Sequence, residues 1–174
     1  MYLTFLFLPF LGAASAGLLG RKLGVTGAHI ITTSCLAISA ALSIVAFYEV
    51  VLCHSPVTIK LGTWIQSEIL SIDWSFTFDT LSISIISTVL LISSLVHLYS
   101  IDYMSSDPHN QRFFSYLSLF TFFMVLLLAG DNYFVLFLGW EFIAVCSYLL
   151  INFWFTIIEA NKSAMQSFIV NRVG

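Results

Sequence analysis

Apolar residues run along this chain in long, nearly unbroken stretches and not in the spaced pattern of an amphipathic surface helix, so the pattern predicts membrane-spanning helices. Windows of about 19 residues give five candidate spans: Tyr2 to Leu19, Ala28 to Leu52, Thr80 to Ile101, Phe113 to Gly130, and Asn132 to Ile157. A sixth begins near Ser163 and has only about a dozen residues before Gly174, where a span needs roughly 20. The expectation is therefore a chain that stops inside an element: a fragment, a split gene product or an early stop.

Between the second and third spans the period changes. Val57, Ile59 and Leu61 alternate with Thr58, Lys60 and Gly62, and Ile72, Trp74, Phe76 and Phe78 alternate with Ser71, Asp73, Ser75 and Thr77. Period-two alternation on both sides of a short connection predicts a β-hairpin at about 57–78, lying over one end of the helices. Trp64 and Trp74 suit a membrane–water interface. The expected fold class is an all-α integral membrane protein of about five complete helices plus the start of a sixth, with this hairpin between helices 2 and 3.

Composition sharpens the reading. Hydrophobic residues make up 59% of the 174 and charged residues 9%, against roughly 25% charged in ordinary soluble domains, which excludes a soluble bundle needing a polar face on every helix. Ala14-Ser15-Ala16 after the first apolar run resembles a signal-peptide cleavage site, but Arg21 and Lys22 follow that run and no base precedes it. A retained helix with its N-terminus outside is the better reading. Alternating from there, the inner loops hold Arg21, Lys22, Arg112 and Lys162, with Arg172 close behind, while the outer loops hold Lys60 beside Glu68, Asp73, Asp79 and Asp131. The sequon Asn161-Lys162-Ser163 then falls inside, away from glycosylation.

Cys35, Cys53 and Cys146 show no paired spacing, and no glycine-rich nucleotide loop, CxxC pair or His/Cys cluster occurs, so neither a metal nor a cofactor bound by this chain is expected. The chemistry that stands out is Glu141, midway along the fifth apolar run. A carboxylate at that depth is costly and commonly marks an ion path or proton relay. At about 100° per residue, Tyr148 and Asn152 fall about 20° to either side of it, forming one narrow polar stripe. Gly139, Ala144, Cys146 and Ser147 nearby are small enough for close helix approach. A weaker stripe on the third span, Asp79, Ser82, Ser93, His97 and Ser100, could carry protons through His97 or serve interhelical hydrogen bonding. His29, His54 and His109 lie near span ends and read as interfacial.

The runs Ser94-Leu95-Val96-His97-Leu98-Tyr99-Ser100, Tyr103-Met104-Ser105, Asp107-Pro108-His109 and Arg112-Phe113-Phe114-Ser115-Tyr116-Leu117 carry a specific resemblance. It continues through Gly130-Asp131-Asn132, Gly139-Trp140-Glu141, the stretch from Ser147 to Thr156, and Asn171-Arg172-Val173-Gly174. Over its whole length the chain resembles the N-terminal part of the subunit 5 family of mitochondrial NADH:ubiquinone oxidoreductase, respiratory complex I.

That resemblance implies an antiporter-like, multi-pass subunit of the mitochondrial inner membrane that contributes to proton translocation. It implies an N-terminal region over 1–130 and, over 131–174, the start of the proton-translocating core. Glu141 matches the family's fifth-helix glutamate, which is paired with a seventh-helix lysine beyond Gly174. FMN, iron–sulfur clusters and ubiquinone are implied on other subunits. The implied partners are the other membrane-arm subunits and the lipid bilayer, joined, if the chain is a split gene product, by a separate chain carrying the missing C-terminal part; nucleic acid is not among them. The chain departs from the family in reading Phe142-Ile143-Ala144-Val145 where glycines commonly follow the glutamate, and in having Ile157 and Ile158 where a base is usual. A multi-subunit sodium/proton antiporter subunit and a non-transporting structural membrane fragment are the alternative readings.

Overall fold

The computed structural model describes all 174 residues. The first element, α1 (Tyr2–Phe47), is helical on both sides of Gly24 and folds back there, on a φ of 73° and ψ of 178°. That backbone conformation is open to glycine and strained for other residues. A straight helix of this length would separate its ends by about 69 Å, yet the Tyr2 hydroxyl donates to Glu49 Oε2 at 2.8 Å. Midway along the two legs, a Cβ placed on Gly12 would lie 3.3 Å from Cys35 Cβ. The second leg ends in a π-helical turn, Tyr48–Leu52.

The hairpin follows: β1 (Val57–Gln66) pairs antiparallel with β2 (Ser71–Phe78), as the period-two pattern predicts. Two bulges, between Lys60 and Gly62 and between Thr63 and Ile65, shift the register along β1. Phe76 and Phe78 of β2 are buried. Phe78 meets the Phe5 and Tyr2 rings at centroid distances of 5.5 and 5.1 Å. Trp64 and Trp74 stack at 4.8 Å on the outer side.

Three apolar helices come next, α2 (Thr80–Tyr103), α3 (Asn110–Ala129) and α4 (Tyr133–Ile151), and then α5 (Ile158–Val173). Taking the folded α1 with its π-turn as one element, four helical elements are long and apolar enough to cross a membrane. Helix α3 is central, packed on α1, α2 and α4, and α5 packs on α4. Asp79 caps α2 by accepting from the Ser82 N–H at 2.7 Å, and Asn132 caps α4 by accepting from the Val135 N–H at 3.0 Å.

The fifth span predicted to reach Ile157 ends as a helix at Ile151, and α5 starts at Ile158, earlier than the Ser163 the hydropathy suggests. Aromatic residues explain the overrun: Phe153, Trp154 and Phe155 prolong the apolar window but form a connecting loop. Phe153 packs edge-on against Phe113 at 5.3 Å, and the Trp154 indole donates to Asp107 Oδ2 at 2.9 Å.

Side chains are distributed inside out relative to a soluble bundle. Thr32, Ser39, Ser118 and His97 are fully buried between helices, whereas Leu18 is 84% and Leu95 65% exposed. Many buried hydroxyls satisfy themselves on their own helix, as Ser39 does on the Cys35 carbonyl at 2.9 Å and Ser43 on the Ala40 carbonyl at 2.7 Å. Apolar surface facing outward over the full helix lengths marks a multi-pass membrane protein.

The hairpin is fastened to the α3–α4 connection. Asp131 accepts from the Ser75 hydroxyl at 2.9 Å and from the Thr77 hydroxyl, its N–H donates to the Ser75 carbonyl at 3.2 Å, and Asn132 Nδ2 donates to the Asp73 carbonyl at 2.8 Å. The Thr77 and Ser75 hydroxyls hold the Asp131 carboxyl below the usual carboxylate range. A depressed folded-state pKa contributes stability above the unfolded value, and that contribution is lost as pH falls below about 4. Asp131→Ala is expected to speed amide exchange across Ser71–Phe78 in the solubilised protein while leaving α3 protected. The same strand should loosen in the unsubstituted protein as the pH is lowered through that window.

Candidate functional site

Glu141 lies midway along α4, and its side chain is 18% exposed. Its Oε2 meets the Arg172 Nη1 of α5 at 2.5 Å. A guanidinium keeps its charge at any pH a protein meets, so each group would be an isolated charge at membrane depth without the other. Arg172 is placed further by the Phe168 ring, which its guanidinium carbon overlies at 5.0 Å, and Phe168 packs edge-on against Tyr148 at 5.8 Å. The polar stripe predicted on α4 thus faces α5: Tyr148 contacts it through Phe168, and Asn152 Oδ1 is buried with no hydrogen-bond partner.

The sequence reading groups Arg172 with Lys162 as a base near the inner loop; the structure separates the two. Lys162 sits in the second turn of α5, and Arg172 lies near its other end, about 15 Å further along the axis at 1.5 Å per residue. A recess of about 550 Å³ opens beside the ion pair, bordered by Tyr133, Phe137, Trp140 and Asn171.

Close approach of α3 and α4 sets the position of Glu141. At Gly139 an added Cβ would stand 2.8 Å from Leu127 Cβ, 2.9 Å from its Cα and 3.0 Å from its nitrogen. Ala144 and Cys146 are buried in the same helix. Phe142 stacks on Phe123 of α3 at 4.7 Å and 9°.

His97 is fully buried on α2. Its Nδ1 lies 2.8 Å from the Ser93 carbonyl, which can only accept, so Nδ1 carries the proton and Nε2 accepts from the Ser118 hydroxyl of α3 at 3.1 Å. Ser93 joins Thr121 of α3 at 2.6 Å. Ser100 turns back to the Val96 carbonyl at 2.7 Å, and Asp79 is occupied as the helix cap. Two members of the row on α2, Ser93 and His97, thus reach α3. Hydrogen bonding to Ser82 holds the Asp79 carboxyl below the usual range.

His29, read from sequence as interfacial, is buried: its Nε2 donates to Asn110 Oδ1 at 2.9 Å and its ring lies 4.4 Å from that of Phe114. Neither this pair nor the Glu141–Arg172 contact has a local sequence signal, because both join residues brought together only by helix packing.

Residues 64–114 match the family described as NADH-ubiquinone oxidoreductase (complex I), chain 5 N-terminus, and residues 129–174 match NADH:quinone oxidoreductase/Mrp antiporter, TM. Over all 174 residues the chain is 64% identical to NADH-ubiquinone oxidoreductase chain 5 of Mycosarcoma maydis and 65% identical to that of Cryptococcus neoformans var. grubii, spanning 26% of each. The same residues are 56% identical to a Neurospora crassa protein named probable intron-encoded endonuclease 4, of which they span 32%. The chain thus spans about a quarter of the length of the chain 5 relatives it matches. With one match to the chain 5 N-terminus, a second to the antiporter membrane domain that follows it, and likeness along its whole length, this chain is similar throughout to one quarter of NADH-ubiquinone oxidoreductase chain 5 and carries both of these family domains.

Proposed function

We propose that this chain forms the N-terminal part of the antiporter-like membrane-arm subunit of respiratory complex I, in the mitochondrial inner membrane, and that Glu141 takes up and releases protons there. The observation that carries the site is the Glu141–Arg172 ion pair at mid-helix depth. Protonating Glu141 ends the pair and leaves Arg172 in need of another partner; restoring the pair expels the proton. Such an exchange gives a carboxylate between helices a route to couple proton movement to helix packing.

Each leg of α1 is roughly 22 residues, about 33 Å at 1.5 Å per residue, so each crosses the bilayer once. With α2, α3 and α4 this makes five crossings, and α5 starts a sixth. A division near residue 130 separates the N-terminal helices and hairpin from the start of the proton-translocating core, and the two family matches support it. FMN, iron–sulfur clusters and ubiquinone act on other subunits, with which this chain assembles. The second family match is shared with Mrp antiporters, which keeps the sodium/proton antiporter reading testable. Purifying the chain through an affinity tag decides between them. Co-purification of flavin and iron–sulfur proteins with NADH:ubiquinone reductase activity is expected, and their absence from an intact membrane complex would overturn the assignment.

Arg21, Lys22, Arg112 and Lys162 lie at the end of the bundle opposite the hairpin, and positive charge favours the matrix side. In a Cys53→Ser background, cysteines introduced at Ser67 in the hairpin turn and at Ser106 in the α2–α3 turn are expected to react from opposite sides. Labelling of both by one impermeant reagent in intact mitoplasts would reverse this topology.

A further inference from the structure

At the basic end of the bundle the first leg of α1 and the start of α3 enclose a recess of about 350 Å³, lined by Gly17, Gly20, Arg21, Gln111, Arg112 and Tyr116, among others. Its depth comes from glycine. A Cβ on Gly17 would lie 2.7 Å from the Ser115 hydroxyl, and one on Gly20 would lie 3.3 Å from Gln111 Cβ, so larger residues would fill the floor or push the helices apart. The Ser115 hydroxyl is already spent on the Ala13 carbonyl at 2.8 Å. The donors left to face an occupant are the guanidinium groups of Arg21 and Arg112, the Gln111 amide and the Tyr116 hydroxyl.

Neither arginine makes a salt bridge, and the one carboxylate that feels Arg112, Asp107, is already engaged by the His109 N–H and the Trp154 indole. The ion pairs of this chain join Lys60 to Asp73 and Arg172 to Glu141. Arg112 is steadied by aromatic faces instead, its guanidinium carbon lying 5.8 Å from the Tyr116 centroid and 5.6 Å from that of Phe153. Those contacts hold the planar group while its N–H edge stays free to bind an oxyanion in bidentate fashion. Lys22, next to Arg21, adds a third positive charge. Along the same leg Leu18 is 84% and Leu19 48% exposed, so an apolar shaft runs away from the basic recess toward the middle of the membrane.

We propose that this recess binds the headgroup phosphate of an anionic phospholipid, with Arg21 and Arg112 as the phosphate ligands and the Leu18–Leu19 flank against the acyl chains. Basic pockets between helices at this depth suit such headgroups, and the adjoining apolar shaft distinguishes an amphiphile from a soluble anion. The inference uses the membrane topology and is independent of any role for Glu141.

The test uses the assembled complex containing this chain, in nanodiscs doped with photoactivatable phosphatidylglycerol or photoactivatable phosphatidylcholine, with cross-linked peptides mapped by mass spectrometry. Cross-linking at residues 16–20 and 111–116 is expected to favour the anionic probe by about tenfold. The preference should vanish in the Arg21→Gln/Arg112→Gln double variant, persist in Lys60→Gln at the opposite end, and resist excess inorganic phosphate. Equal labelling by the two probes in the unsubstituted complex overturns the proposal, whether or not the double variant assembles. So does retention of the preference without both arginines, and displacement by inorganic phosphate would identify a soluble-anion site in its place.

Discussion

Glu141→Gln is expected to lower proton translocation by the assembled complex by on the order of tenfold or more, with little loss of assembly. Glutamine keeps the length and hydrogen-bonding capacity of the side chain but cannot carry the titrating charge. It also leaves Arg172 at membrane depth without its anion, and a cation so placed is costly. Arg172→Gln separates the two contributions. If the arginine only neutralises Glu141, its loss should impair translocation as strongly as Glu141→Gln does, and the double substitution should be no worse than either single one. The readouts are the proton-to-electron ratio in coupled vesicles and the amount of assembled complex on native gels.

The second large effect belongs to packing. Gly139→Val is expected to prevent the complex from accumulating, and Gly139→Ala to lower its thermal midpoint. Alanine would gain about 1 kcal/mol of helix propensity over glycine, but its Cβ would meet the Leu127 backbone at 2.9 Å from Cα and 3.0 Å from nitrogen, which cannot rotate away. Overpacking of this kind costs about 1–3 kcal/mol, so the clash wins. Valine adds two further methyl groups to the same space. Gly62→Ala in β1, where nothing lies within 4 Å of the new Cβ, is the matched control and should be silent.

The helices and the hairpin were legible because each has a pattern that composition cannot mask: apolar runs for the two legs of α1 and for α2 to α4, and alternation over Val57–Gly62 and Ser71–Phe78 for the strands. Glu141 was legible for the same reason, as one charge in an apolar run. What escaped was contact. Arg172 looks like a companion of Lys162 among the inner bases until α5 is seen to carry it back beside Glu141 of α4. The row of Ser93, His97 and Ser100 reads as a file along α2, but hydroxyls in a membrane helix bond their own carbonyls first, so Ser100 leaves the file and His97 is held at both nitrogens. His29 looked interfacial by its place near a span end, and only the turn at Gly24 brings it against Asn110. Hydropathy ran past Ile151 because it cannot tell a loop built on Phe153 and Trp154 from another turn of helix.

The claim that Glu141 gains and loses a proton during turnover is tested most directly by redox-triggered infrared difference spectroscopy on the assembled complex, in the carboxylic-acid C=O stretching region. The account predicts a band that changes on NADH-driven reduction, shifts in deuterated water, and is absent from Glu141→Gln while all other carboxyl bands persist. An identical difference spectrum in Glu141→Gln, with proton translocation intact, would contradict it.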